Sequence, residues 1–307
     1  MRIWRSLTEI PADVGATVVT IGNFDGVHLG HRTLIARARA KADQLGVDLV
    51  AVTFDPHPMA VLRPEHAPAM LTDVETRCGL LAECGVDDIL VLPFSREIAA
   101  WTPEEFVARV LVTGLHACAV VVGANFRFGN KAAGDVAFLA AHEGFEVTGV
   151  ELDGGPQVWS STYVRTCLAT GDVEGASEAL GRPYGVRGVV SRGDRRGREL
   201  GFPTANVPVT GYAVPADGVY AGRLRRLDTD EIFPAAISVG TNPTFEGERE
   251  RRVEAYVLDR TDLELYDVAV EITFVSRLRG MVRFEGVDAL VAEMNNDVAR
   301  ARKILAS

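Results

Sequence analysis

Apolar and polar positions follow two different patterns along the 307-residue chain. In the first half, solidly apolar runs alternate with segments of helical period. The runs are Thr17–Ile21, Asp48–Phe54, Asp88–Leu92, Cys118–Val122 and Phe145–Val150. A helix over Leu34–Leu45 ends at Gly46. Thr72-Asp73-Val74-Glu75 has the form of a capping box and predicts a helix running to Cys84. Thr102-Pro103-Glu104-Glu105 is a second box, with proline at the first helical position, and opens a helix ending near Gly114. A further helix runs from about Asp135 to His142. Strands that are apolar on both faces and alternate with helices predict a parallel sheet covered on both sides.

After a helix at Asp172–Leu180 and the segment Gly181-Arg182-Pro183-Tyr184-Gly185 the pattern changes. Val186–Ser191, Gly218–Leu227, Ile232–Val239, Val253–Leu258 and Val268–Phe274 read as strands with no helices between them. The last alternates, with Val268, Val270, Ile272 and Phe274 on one face and Ala269, Glu271 and Thr273 on the other. Such a succession predicts a small antiparallel β-barrel. Val287, Leu290, Val291, Met294, Val298, Ala301 and Leu305 form the apolar stripe of one closing helix. The expected domains are therefore residues 1–183 and 184–307.

Composition narrows the setting. Hydrophobic residues make up 47% and charged residues 24%, enough for two ordinary cores. A net charge of −10 argues against nonspecific binding to nucleic acid or an anionic membrane. Cys78, Cys84, Cys118 and Cys167 form no C-x-x-C pair, so reduced core thiols are expected, with neither disulfide nor zinc site. The first residues lack a signal peptide's apolar region, and the longest uncharged stretch, Val110–Phe126, is too short and too polar to span a bilayer. A cytoplasmic protein with small-molecule partners is expected, a homo-oligomer being left open.

Chemistry concentrates at strand ends. Thr20–Ile35 carries Gly22, Gly26, Gly30, Asp25, His28 and His31 between an apolar run and a helix. Glycines let the backbone approach a ligand, and a helix start offers amide donors and positive potential to a phosphate. Two of six histidines lie three apart, on one face of a first helical turn. Asp55-Pro56-His57-Pro58 and Gly123–Gly129 also follow strands, and ligands of parallel sheets bind beyond the carboxyl ends. Ser160, Ser161, Thr162 and Arg165 place three hydroxyls and a cation at another helix start. In the second half, Gly193–Asn206 holds three arginines and three glycines; composition alone leaves a solvated basic loop and a phosphate loop equally open. No G-x-x-x-x-G-K-[ST] occurs, so a kinase here is not a P-loop enzyme.

These motifs carry a resemblance that spans nearly the whole chain. H-x-G-H resembles the signature of the nucleotidylyltransferase superfamily. The string G-N-F-D-G-V-H-L-G-H, with S-S-T-x-x-R and G-x-N-F-x-F-G, is similar to the adenylyltransferase module of bacterial bifunctional riboflavin kinase/FMN adenylyltransferases, or FAD synthetases. G-x-x-L-G-F-P-T-A-N, Val239–Phe245 and Val253-Glu254-Ala255-Tyr256 resemble that family's riboflavin kinase motifs. The resemblance implies a Rossmann-like nucleotidylyltransferase domain followed by a β-barrel of riboflavin kinase type with a terminal helix. It implies a transferase that phosphorylates riboflavin to FMN with ATP, then transfers AMP from ATP to FMN, giving FAD and pyrophosphate. ATP for adenylylation would meet Gly22, Phe24, Asp25, His28, His31, Ser161, Thr162 and Arg165. The flavin would meet Phe54, His57, Asn125 and Phe126, although many members carry Asp where this chain has Asn125. Gly201, Pro203, Thr204 and Asn206 would hold the kinase phosphates, Thr204 and Asn206 also Mg²⁺, and Glu254 would act as base. A nucleotidylyltransferase for another substrate leaves Gly193–Asn206 and Glu254 without a role. A flavin-binding regulator without turnover is opposed by the complete set of His28, His31, Arg165, Thr204, Asn206 and Glu254.

Overall fold

Strands β1 (Arg2–Trp4), β2 (Thr17–Ile21), β3 (Asp48–Asp55), β4 (Asp88–Pro93), β5 (Ala117–Gly123) and β8 (Glu146–Val150) form one sheet, in the order β1-β4-β3-β2-β5-β8. Every pairing in it is parallel. A short hairpin, β6 (Arg127–Phe128) with β7 (Gly134–Asp135), lies between β5 and β8 in the chain. The computed structural model describes residues 1–151, 159–192, 201–241, 251–260 and 262–306. It divides into two compact units, Met1–Ser160 and Ser161–Ser307.

The first unit is the expected parallel sheet with helices on both faces. Val18, Leu49, Ala51, Ile89 and Val121 bury one face under α1 (Leu29–Leu45) and α3 (Val74–Glu83). Val19, Val50, Val52, Leu90 and Val122 bury the other under α5 (Pro103–Phe106), a π-helix (Val107–Gly114) and α6 (Val136–Ala140). Edge strand β1 was not expected from the pattern. Asp88 holds it, accepting from the Arg2 amide at 2.7 Å and from its guanidinium. The chain proceeds from β2 to β3 and β4 on one side, then returns to place β5 and β8 on the other. The switch point therefore lies between β2 and β5, where open α/β sheets place their ligands.

Two helix boundaries differ from expectation. Thr102 and Glu105 form the predicted capping box, but the α-helix widens into π geometry after Phe106. Helix α3 is capped by Asp73, which accepts from the Thr76 amide, rather than by Thr72. The Thr72 hydroxyl is occupied elsewhere, accepting from the Gly26 amide and donating to Asp25.

The second unit opens with α7 (Ser161–Thr170) and α8 (Val173–Leu180). Its sheet is antiparallel, in the order β10-β13-β12-β11-β14-β9. These strands are β9 (Tyr184–Val189), β10 (Thr204–Pro208), β11 (Gly218–Arg226), β12 (Ile232–Thr241), β13 (Arg251–Val257) and β14 (Ala269–Gly280). A bridge between Ser191 and Asn206 draws the edges together, so the sheet curls into a half-barrel. Helix α9 (Val287–Leu305) closes it, packing Val298, Ala301, Ile304 and Leu305 near Val219, Ala221, Leu258 and Leu278. Its buried stripe also contains Asp297, which the apolar pattern does not show and which pairs with Arg279. Val287, counted in that stripe from the sequence, is exposed. Helix α8 packs on β9 and β14, and Arg277 of β14 donates to the Thr170 carbonyl at the end of α7. The two helices thus group with the second unit, while the boundary expected at 183/184 follows them in the chain.

Candidate active sites

In the first unit, the turn from β2 to α1 passes three left-handed residues in four: Phe24 (φ 49°), Gly26 (φ 82°) and Val27 (φ 41°). Non-glycine residues adopt this region at a cost, and such strain collects at ligand sites. Asp25 holds the turn in place. Its carboxylate, 2% exposed, accepts from the Leu71 and Thr72 amides at 3.0 and 3.1 Å and from the Thr72 hydroxyl at 3.3 Å.

His28 caps α1, its Nδ1 accepting from the His31 amide at 3.3 Å. A neutral His28 ring therefore carries its proton on Nε2, as a donor. The two imidazoles stack with centroids 3.6 Å apart, and the fully buried Phe24 ring meets His31 edge-on at 5.2 Å. The His31 Nδ1 is buried with no hydrogen-bond partner. Burial, aided by the neighbouring His28 and the Arg77 charge, pushes the pKa of His31 well below the usual histidine range, so the ring is neutral. Gly30 permits the closeness of this first turn. A Cβ there would stand 3.0 Å from the Trp159 carbonyl oxygen and 3.1 Å from His28 Nδ1.

The neighbouring strand ends carry the other expected residues. Past β3, His57 caps the short helix α2 (Pro58–Leu62), accepting at Nδ1 from the Met59 amide at 3.1 Å. Its Nε2 lies 3.2 Å from the Asn23 side-chain amide, which links this loop to the glycine turn. Half-buried Phe54 packs edge-on against Phe94, and past β5 Phe126 stacks on Phe128 at 5.5 Å. Phe54 and Phe126 pack on the same apolar cluster, and Asn125 stands exposed in the turn between β5 and β6. The structure thus gathers Gly22, Phe24, Asp25, His28, His31 and His57 around one turn. It sets Phe54, Asn125 and Phe126 at the ends of β3 and β5, the strands flanking β2. Ser161, Thr162 and Arg165 share the first turns of α7, in the second unit.

A second constellation lies on the half-barrel. Asn206 on β10 is directly opposite Glu254 on β13, which is opposite Ser238 on β12. Thr204 and Tyr256 are paired two residues along. Paired residues on adjacent strands share a face, as do residues two apart. Val253 and Ala255 fill the core, and Thr204, Asn206, Ser238, Glu254 and Tyr256 share the opposite, half-buried face. Phe202 packs edge-on against Tyr256 at 5.2 Å. Gly201, with φ 87°, turns the chain into β10 in a conformation that a side chain would strain. The Asn206 Oδ1 is buried and, among the described residues, accepts no hydrogen bond. Residues 193–200 and 242–245, the rest of the two expected kinase motifs, lie outside the described residues.

Sequence reasoning missed Ser238, Thr53, Thr72 and Arg77. For Arg77 there was a signal. It lies on the α3 stripe of Val74, Cys78 and Leu81, an arginine at a position whose neighbours are all buried.

A doubly covered parallel sheet with paired imidazoles at its switch point, joined to a half-barrel with a carboxylate beside an orphaned amide oxygen, defines a two-site nucleotide-dependent transferase. Residues 10–162 match the family model described as FAD synthetase, and residues 180–305 that described as riboflavin kinase. The chain belongs to the bifunctional riboflavin kinase/FMN adenylyltransferase family. It is 39% identical to the member from Pseudomonas fluorescens, covering 100% of this chain and 98% of that protein. It is 35% identical to the one from Escherichia coli K12, over 97% and 95%. A solved structure from Streptococcus pneumoniae, titled a macrolide-efflux protein, superposes with a TM-score of 0.87 at 30% identity over 98% of both chains. Among the described residues no helix is long and apolar enough to cross a membrane.

Proposed function

We propose that the two activities divide between the two constellations. The enzyme phosphorylates riboflavin to FMN with ATP and transfers AMP from a second ATP to FMN, yielding FAD and pyrophosphate. Adenylylation belongs to the Gly22–His31 turn; by resemblance of their motif Ser161, Thr162 and Arg165 also serve ATP, which is the reason for a functional boundary at 183/184. An FMN phosphate oxygen forms a bond to the α-phosphorus as the bond to the β-phosphate oxygen breaks. No protein nucleophile is needed. His28 Nε2–H, the His31 imidazole and the amides of α1 stabilise the charge that develops, in a site dried by Phe24. Phe54, His57, Asn125 and Phe126 hold the flavin, on the face adjoining β5.

Phosphorylation belongs to the Thr204–Asn206–Glu254 face. The observation that carries it is the register that sets Glu254 beside Asn206, whose buried oxygen lacks a donor. Glu254 accepts the proton of the riboflavin 5′-hydroxyl as that oxygen bonds to the γ-phosphorus and ADP leaves. Gly201 and Pro203 shape the approach to the phosphates. The Thr204 hydroxyl and Asn206 Oδ1 are hard oxygen donors suited to Mg²⁺, and an unpartnered buried oxygen fits that role. When bound, Mg²⁺ would neutralise phosphate charge. The setting is cytoplasmic, where Cys78, Cys84, Cys118 and Cys167 would stay reduced.

One paired assay tests the division, with riboflavin or FMN supplied and the flavins separated by chromatography. Glu254→Gln should lower riboflavin phosphorylation by about two to four orders of magnitude and spare adenylylation of FMN. His31→Ala should do the reverse, slowing FAD formation by roughly a hundredfold or more. Equal loss of both reactions in either variant would refute the division.

A further inference from the structure

Arg77 is 2% exposed, on the face of α3 that packs against the sheet. Its Nη1 donates to the Thr53 hydroxyl at 3.1 Å and to the Phe54 carbonyl at 2.9 Å. Thr53, fully buried, passes the connection on, donating its hydroxyl to the Asn23 carbonyl at 3.0 Å. One guanidinium thus ties the end of β3 to the glycine turn. Asn23 in turn meets His57, so the same chain of contacts reaches the flavin side.

Among the described residues this guanidinium has no direct ion-pair partner, and its Nε is buried without a hydrogen-bond partner. Buried charges are ordinarily paired, because removing a charge from water is costly. A cation kept without a counter-charge beside a polyphosphate site has one obvious compensation, the anionic ligand.

We infer that Arg77 is a positioning residue of the adenylylation site. It fixes the Asn23 turn through Thr53, and its buried positive charge is balanced by the phosphate chain of bound ATP. This rests on the reading that the Gly22–His31 turn receives those phosphates. Its charge is felt at His31, where it adds to burial in keeping the ring neutral.

The test uses the full chain with three variants. Arg77→Met fills much of the same space without charge, and Arg77→Lys returns the charge without the fork. Thr53→Val removes both the bond that Arg77 donates to the hydroxyl and the relay to Asn23, while keeping the charge and the bond to the Phe54 carbonyl. Arg77→Met should form FAD about ten- to a hundredfold more slowly, with a raised KM for ATP and riboflavin kinase unchanged. Arg77→Lys should recover most of the lost KM effect. Thr53→Val should lower kcat about tenfold with little change in KM. Wild-type adenylylation in Arg77→Met, or Arg77→Lys no better than Arg77→Met, would overturn the electrostatic role. If Arg77→Met fails to fold, Arg77→Lys and Thr53→Val decide, and wild-type rates in Thr53→Val overturn the positioning role. Loss of FAD synthesis in His31→Ala with normal rates in all three variants would sink this inference alone. Normal rates in His31→Ala would sink the site reading beneath it.

Discussion

Replacing Asp25 separates a residue that holds the glycine turn from one that merely touches nucleotide. Its Oδ1 receives the Leu71 amide, the Thr72 amide and the Thr72 hydroxyl, and its Oδ2 receives the Leu71 amide again at 3.1 Å. Leu71 and Thr72 are both buried, at 1% and 4% exposure, so water cannot replace the lost acceptor. Asp25→Ala strands two amide donors, at about 1–3 kcal/mol each, for a total of roughly 2–6 kcal/mol. Asp25→Asn keeps one oxygen for three of the four contacts and should cost only about 1–2 kcal/mol. In a unit of this size each kcal/mol lowers Tm by about 2–4 °C, so Asp25→Ala should melt on the order of 5–20 °C early. The turn it releases carries Gly26, whose amide bonds Thr72, and leads into His28. FAD formation should fall by roughly a hundredfold, the scale of a misplacement near 1 Å. Calorimetry and the two-substrate flavin assay read both effects, with riboflavin phosphorylation as the internal control. An Asp25→Ala protein of unchanged Tm whose only defect is a higher KM for ATP would refute the reasoning and make Asp25 a nucleotide contact.

Two further perturbations probe other parts of the molecule. Because the pKa of His31 is depressed in the folded state, the unfolded chain binds a proton below about pH 6.5 that the folded chain refuses. Stability from this source is complete above that pH and erodes as pH falls, by up to about 1.4 kcal/mol per unit. Melting curves between about pH 7.5 and 5.5 should be steeper for wild type than for His31→Gln, and parallel curves would contradict it. Asp297 accepts from Arg279 at 2.7, 3.0 and 3.1 Å, both side chains being largely buried. Asp297→Ala should therefore cost about 3–5 kcal/mol in urea unfolding, and Arg279→Met with Asp297→Leu should recover most of it.

Much of this protein was legible in one dimension because its signals are local. Solid apolar runs mark strands buried on both faces, as Val18–Ile21 and Val120–Val122 are. The change to strands without helices after Gly185 marked the second fold, and the motifs at His28, Asn206 and Glu254 were legible as short strings. What the chain could not show by itself was pairing across distance. Strand β1 forms because Asp88, 86 residues away, satisfies Arg2. Thr72 reads as a helix cap until the fold brings Asp25 and Gly26 to it, when its hydroxyl has stronger claims than α3. Asp297 breaks an apolar stripe, and only the arrival of Arg279 from β14 makes its burial tolerable. Ser238 and Arg77 carry no motif, and acquire meaning from register and from the end of β3. Local propensity and periodicity are properties of neighbouring residues, whereas desolvation and hydrogen-bond satisfaction depend on what the folded chain places beside them.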